Sequence, residues 1–244
     1  MRATHVLTRM DEVVDAYCKA NRYQQEDLTP GRARTFLKQH RLNTRQRNSV
    51  LKLRVATNCP DWDMRLRVIK ACSQEIIADN EFAGGKPHWF ILEELAEAIG
   101  MNVEEVRTAK PLPSTEIAWA AWEGLMSNKH WLLGVIGNAC AERANVPGYG
   151  NGAAREHGNS YVQRLRWQKL FHLSEPQLEF FHVHEVADID HSNLAWEAVA
   201  EHAERLGMED EAIHALEVNL RVWTLYWHGI CDEGARLDSL AKAA

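Results

Sequence analysis

Long apolar runs are missing from this chain. Nowhere in its 244 residues do 18 apolar residues follow one another, so no segment is expected to cross a membrane as a helix. Paired cysteines are missing too. Cys18, Cys59, Cys72, Cys140 and Cys231 are scattered, odd in number and never spaced as C-x-x-C, so a disulfide frame, a zinc finger and an iron–sulfur site are not expected. Runs of alternating β-branched residues and the dipeptides that close hairpins are nearly absent, which removes the usual signals of a sheet. There is no basic excess: the formal net charge is −6, and nucleic acid is not the expected partner. The first fourteen residues mix Arg2, Arg9, Asp11 and Glu12 with apolar positions. They lack the apolar block of a secretory leader, so the expected location is the cytoplasm.

What is present is helical periodicity. With 45% hydrophobic and 25% charged residues, the composition is that of an ordinary globular chain. Helices are predicted over 6–23, 30–57, 62 to beyond 79, 88–99, 114–126, 128–144, 155–171, 175–206 and 209–240. The breakers are Pro30, Cys59-Pro60-Asp61, Gly84-Gly85-Lys86-Pro87, Gly100, Pro111 with Pro113, and the glycine-rich run 147–152. This reads as one all-α domain spanning 1–244, with N-terminal helices over 1–58 and a bundle core over 59–244. Most of the nine tryptophans, among them Trp89, Trp131, Trp196 and Trp223, are expected inside.

The sharpest local pattern is His184-x3-Asp188-x2-His191. Positions i, i+4 and i+7 fall within about 20° of one another around an α-helix, so two imidazoles and a carboxylate leave one rod in one direction. That donor mix suits iron, and less specifically manganese or zinc. The blander alternative is a polar helix face that happens to hold two histidines. Phe180 and Phe181 before the pattern, and Leu194, Trp196 and Val199 after it, suggest an inward face, where such groups need partners.

On these residues the chain resembles the haem-oxygenase-like di-iron oxidases and oxygenases, whose scaffold is shared with thiaminase-type and pyrroloquinoline-quinone-synthase-type proteins. That family carries a Glu, a His several residues later, a Glu on another helix, and then His-x3-Asp/Glu-x2-His. The resemblance covers about 62–232. It implies a haem-oxygenase-like helical bundle with a central di-metal site whose ligands, taken as the catalytic centre, are Glu81, His88, Glu142, His184, Asp188 and His191. Glu75 is the rival to Glu81, because Gly84, Gly85 and Pro87 interrupt the stretch between Glu81 and His88. The blander role for Glu142 is a salt bridge with Arg143 or Arg166. The implied cofactors are two Fe(II) ions, with O2 as co-substrate. Three carboxylates against two such ions leave one positive charge, which favours an anionic co-ligand such as a substrate carboxylate.

The implied activity is oxidation of a small amino-acid-derived substrate by N-oxygenation, oxidative C–C cleavage or decarboxylation, in natural-product biosynthesis. An external electron donor and a homodimer are both compatible with it. The alternatives are a metal-free thiaminase-like or quinone-cofactor-synthase-like enzyme and a non-catalytic binding protein. Arg221, on the apolar last helix, is the candidate clamp for a substrate carboxylate, against a salt bridge to Glu217. His228 is a second candidate for the substrate cavity. The segment 31–55 holds Arg32, Arg34, Lys38, Arg41, Arg45, Arg47, Lys52 and Arg54 with no acidic residue. A solvated face and an attractor of anions are its two readings.

Overall fold

In a computed structural model the chain is described over residues 2–127 and 129–243, with the side chains of residues 2–4, 190 and 194 outside that description. Among the described residues there is no strand, only an isolated bridge between Asp79 and Lys86, and the expected all-α class holds. Among the described residues thirteen α-helices are joined by one π-helix and one 3₁₀ turn. They are α1 Arg2–Ala20, α2 Arg22–Gln25, α3 Pro30–Asn43, α4 Lys52–Asn58, α5 Trp62–Ile76, α6 His88–Ala98, α7 Val103–Arg107, α8 Pro113–Ser127, α9 Trp131–Arg143, α10 Gly152–His157, α11 Asn159–Phe171, α12 Glu179–Leu206 and α13 Glu209–Ala243. The start of the helix expected at 128–144 falls on Asn128, which lies outside the described residues; α9 begins at Trp131, capped by His130. Among the described residues no helix is long and apolar enough to cross a membrane.

Local chemistry fixes the ends that matter. The Thr29 hydroxyl accepts from the Arg32 N–H with Pro30 in the first turn, and the Asp61 carboxylate accepts from the Met64 N–H. The predicted helix over 30–57 is one rod in direction but not in winding, because Thr44–Leu51 between α3 and α4 is π-helical. Its closing bond runs from the Lys52 N–H to the Arg47 carbonyl. In an α-helix residues five apart point roughly 140° away from each other. The wider π turn, which bonds i to i+5, brings Arg47 and Lys52 toward one side.

The helix expected to run past 79 stops at Ile76. Asp79 then accepts from the N–H groups of Glu81 (3.0 Å) and Phe82 (2.9 Å), while Gly84 (φ 57°) and Gly85 (φ 89°) take left-handed conformations that a residue with a Cβ adopts only under strain. The chain therefore turns back before His88 instead of continuing as a helix.

The core is built on α9, which packs against α12 and α13. Small residues make that possible: a Cβ added at Gly137 would stand 2.9 Å from Asn219 Oδ1, and one at Gly134 3.0 Å from Val55 Cγ2. Trp122, Trp167 and Trp196 are fully buried and Trp131 and Trp223 nearly so, whereas Trp62 is 63% exposed. All five cysteines are free and buried, as expected from their spacing.

Candidate functional site

A cavity of about 860 Å³, the open solvent at its mouth included, lies among α3, the π-helix, α5, α9, α12 and α13. Its walls are Phe36, Phe180, Trp223 and Trp227 on one side and Lys52, Glu75, Glu142, His184 and Asp188 on the other. A second cavity of about 660 Å³, more apolar, reaches Lys52, Asn138 and Glu142 from the opposite side and is lined there by His191. The lining is drawn from both sides of residue 58, so the N-terminal helices belong to the site.

His184 and Asp188 leave α12 one turn apart and face the larger cavity. His184 Nδ1 lies 2.7 Å from the Phe180 carbonyl, which it bonds as donor, and this directs Nε2 elsewhere. Burial, together with the nearby His88 charge, lowers the His184 pKa to about 4, so the ring is neutral. Burial and the Glu142 charge raise the Asp188 carboxyl well above its usual range, and Asn145 Nδ2 donates to it at 2.9 Å. Glu142 stands on α9. Its salt bridge is to neither Arg143 nor Arg166 but to Lys52 Nζ at 3.0 Å. Burial would raise its pKa, but the ammonium brings it below the ordinary value. His191 Nε2 is buried with no hydrogen-bond partner.

His88 opens α6 and is 3% exposed. Its Nε2 donates to Asp79 Oδ2 at 3.0 Å, and its Nδ1 lies 3.2 Å from Glu75 Oε2, at ion-pair distance without hydrogen-bond alignment. Burial alone would lower its pKa. The Glu75 charge and the Asp79 bond overcome burial and hold it at about 10. Burial would raise Asp79, but the bonds from His88 and from the Phe82 and Glu81 N–H groups bring it to about 2. The His88 and His184 ring centroids are 4.8 Å apart.

The structure does not bring Glu81 to the other candidate ligands. Its side chain is 46% exposed and pairs with Lys70 Nζ at 2.8 Å and Gln74 Nε2 at 3.2 Å. The early end of α5 and the Asp79 turn swing it outward. The rival Glu75, one turn inside α5, takes the inner position, 13% exposed, beside His88 and 3.8 Å from Lys52 Nζ. Arg221 also stands apart from the cavity. Its side chain is 78% exposed beside Glu217 at 4.0 Å, on the face of α13 opposite its buried row of Leu216, Leu220, Trp223 and Tyr226. His228 does not line the cavity; its charged neighbours are Arg22, Asp232 and Glu26. Sequence reasoning did not single out Lys52, Arg47 or Asp79 as site residues, nor His40, whose ring stacks on Phe36 in the cavity wall.

Among the described residues no three His, Cys, Asp or Glu side chains are set to hold one ion as they stand. The positive charge that faces these carboxylates comes from within, from the Lys52 ammonium and the proton on His88. The donors nevertheless fit iron: three buried carboxylates and three imidazoles, one with an unpartnered nitrogen and one backed by a carboxylate, the arrangement that orients a metal-binding histidine. Glu75, His88, Glu142, His184, Asp188 and His191 would hold the metal.

Two consequences are measurable. The His88 ion pairs stabilise the fold fully below the unfolded value of about 6.5 and are lost as pH rises through about 10, so metal-free protein should weaken over that window. A cation must also displace the His88 proton, so metal binding at neutral pH should release at least about one proton per chain. Calorimetry in two buffers of different ionisation enthalpy counts it, and zero release would mean that His88 is not a ligand.

A family model described as iron-containing redox enzyme matches residues 34–224. A search of curated proteins gave no match. Among solved structures, a domain of unknown function with a heme oxygenase-like fold from Shewanella denitrificans superposes with a TM-score of 0.69 at 16% identity, covering 97% of this chain and 93% of that one. A CADD-like protein of unknown function from Nostoc punctiforme superposes with a TM-score of 0.71 at 13% identity, covering 96% and 99%. At these identities the likeness establishes the fold, which is the haem-oxygenase-like bundle expected from the sequence.

Proposed function

The chain belongs to the iron-containing redox enzyme family, and from that premise we propose that it is a di-iron oxidase or oxygenase that uses O2 on a small amino-acid-derived substrate. The observation that carries this reading is the convergence of Glu75, Glu142, His184 and Asp188 around one cavity, with His88 behind them beside Glu75 and His184. Two ferrous ions, when bound, supply redox capacity toward O2 that side chains lack. The protein's own groups do the rest. Asp79 fixes the ring of His88, the Phe180 carbonyl fixes His184, and Asn145 fixes Asp188. Phe36, Phe180, Trp223 and Trp227 form an apolar wall that limits water beside the reacting bond. N-oxygenation, or oxidative C–C cleavage including decarboxylation, in natural-product biosynthesis is the chemistry proposed, with electrons drawn from an external donor where the reaction needs them.

The metal-free thiaminase-like reading needs a nucleophilic cysteine. Burial pushes the thiols of Cys18 and Cys140 up to about 12 and that of Cys72 to about 11, and no cysteine is among the residues that line the larger cavity. Thiolates so suppressed are poor nucleophiles.

The test is His184→Ala and Glu142→Ala, each measured for helicity by circular dichroism and for O2 consumption with iron and a panel of amino acids. Helicity should survive and O2 consumption should drop to background in both. Wild-type turnover in either would remove that residue from the centre.

A further inference from the structure

The metal ligands account for one end of the cavity. At another part of it Arg47 is 2% exposed, and no carboxylate lies within ion-pair distance of it among the described residues. Its neighbour in the basic run, Arg41, shows the usual arrangement, with Glu93 at 2.5 Å. Arg47 instead gives Nη1 to Asn48 Oδ1 (3.1 Å) and Nη2 to the Gly137 carbonyl (2.5 Å), and its Nε has no partner. Its guanidinium lies 5.0 Å from the Trp122 ring and 4.7 Å from the Trp223 ring. Five N–H donors are available on such a group, so two bonds leave three unassigned. It cannot relieve its burial by losing a proton, and a buried unpaired charge is costly. One residue beyond the carbonyl that Arg47 holds is Asn138, which is 8% exposed with both side-chain atoms unpartnered. Both side chains line the larger cavity.

We infer that Arg47 and Asn138, with Asn48 steadying the guanidinium, form a subsite for the carboxylate group of the substrate. The geometry that produces it is the π turn, which rotates Arg47 inward on the same side as Lys52. The two cations have different work. Lys52 is held by Glu142 and Glu75, which leaves Arg47 as the cation with open donors toward the cavity. A planar carboxylate also matches the edge of a guanidinium. The apolar remainder of such a molecule lies against Phe36, Phe180 and Trp227. The inference deepens the iron-dependent reading, on which it rests for what happens to the bound molecule; the binding itself needs no metal.

The test uses metal-free, full-length protein and three probes, each set against its own primary amide: butyrate, phenylacetate and L-leucine. Calorimetry and thermal unfolding read the binding. The wild type should bind at least one acid tenfold or more tighter than its amide. Arg47→Gln should bind acid and amide alike, and Arg47→Lys, which keeps the charge but loses the planar edge, should fall between. Asn138→Asp is nearly isosteric and supplies a carboxylate to Arg47 from within, so it should fold and lose acid binding, which keeps the test decisive if Arg47→Gln does not fold. No preference for any acid in the wild type, or a preference that survives in Arg47→Gln and Asn138→Asp, would overturn the subsite. Iron loading is measured separately. Wild-type protein that takes up no iron but still selects acid over amide would overturn the iron reading and support the subsite.

Discussion

Glu75→Ala is expected to cut metal affinity by at least about 100-fold, while Glu81→Ala leaves it unchanged. Loss of a group that merely orients a ligand costs 10–100-fold, so loss of a ligand should cost no less. Glu75 is buried beside His88, and its carboxyl is held well below the usual range, burial being outweighed by the charges of His88 and Lys52. Glu81 is on the surface with Lys70. Its removal takes one hydrogen bond from Gln74 but no charge from the cavity, and the exposed pair with Lys70 contributes little. Anaerobic equilibrium dialysis against Fe(II) separates the two variants. Equal affinity in both, or a loss confined to Glu81→Ala, would return the first ligand to the turn and require the 79–86 segment to refold around the metal.

Lys52→Met should destabilise the metal-free protein and tighten its grip on metal. Lys52 is buried with its ammonium 3.0 Å from Glu142 and 3.8 Å from Glu75. Removing one partner of a buried ion pair costs about 3–5 kcal/mol, because the remaining charge keeps its desolvation and loses its attraction. For a chain of this size that is a fall of roughly 10 °C in the unfolding midpoint. A divalent cation no longer has to displace the ammonium, so added metal should restore more than the lost stability. Scanning calorimetry with and without Mn(II), a redox-stable stand-in, reads both effects. A variant as stable as the wild type, with the same response to metal, would mean that Lys52 does not occupy the position of the cation.

The fold class was legible because helices and breakers were: Pro30, Asp61, Gly100 and the Pro111–Pro113 pair all sit at real helix ends or loops. On α12 the spacing of His184 and Asp188 placed both in the larger cavity, while His191 was drawn toward the second one, so the shared direction was only partly kept. Glu142 was found because small residues around it implied a close helix pair, and Gly134 and Gly137 do make that contact. Glu81 lies apart from the other candidates for a reason that periodicity does not contain. Where α5 ends depends on Asp79 capturing two N–H groups, and Asp79 four residues before Ala83-Gly84-Gly85 was the available sign. Of the two readings of Arg221, the structure places it beside Glu217, because one residue along an apolar helix is about 100° of rotation. The basic run was harder. Read as an α-helix, 31–55 spreads its charges around the rod. A π segment, which adds a residue to the turn, turns Arg47 and Lys52 inward, and no sequence signal announced it.

Iron content after anaerobic loading bears most directly on the central claim. Protein equilibrated with Fe(II), desalted without oxygen and analysed for metal should hold about two iron atoms per chain, and Glu142→Ala clearly fewer. Wild-type protein that holds close to none would contradict the account, because the buried carboxylates and imidazoles would then be a structural network satisfied by Lys52 and the His88 proton alone.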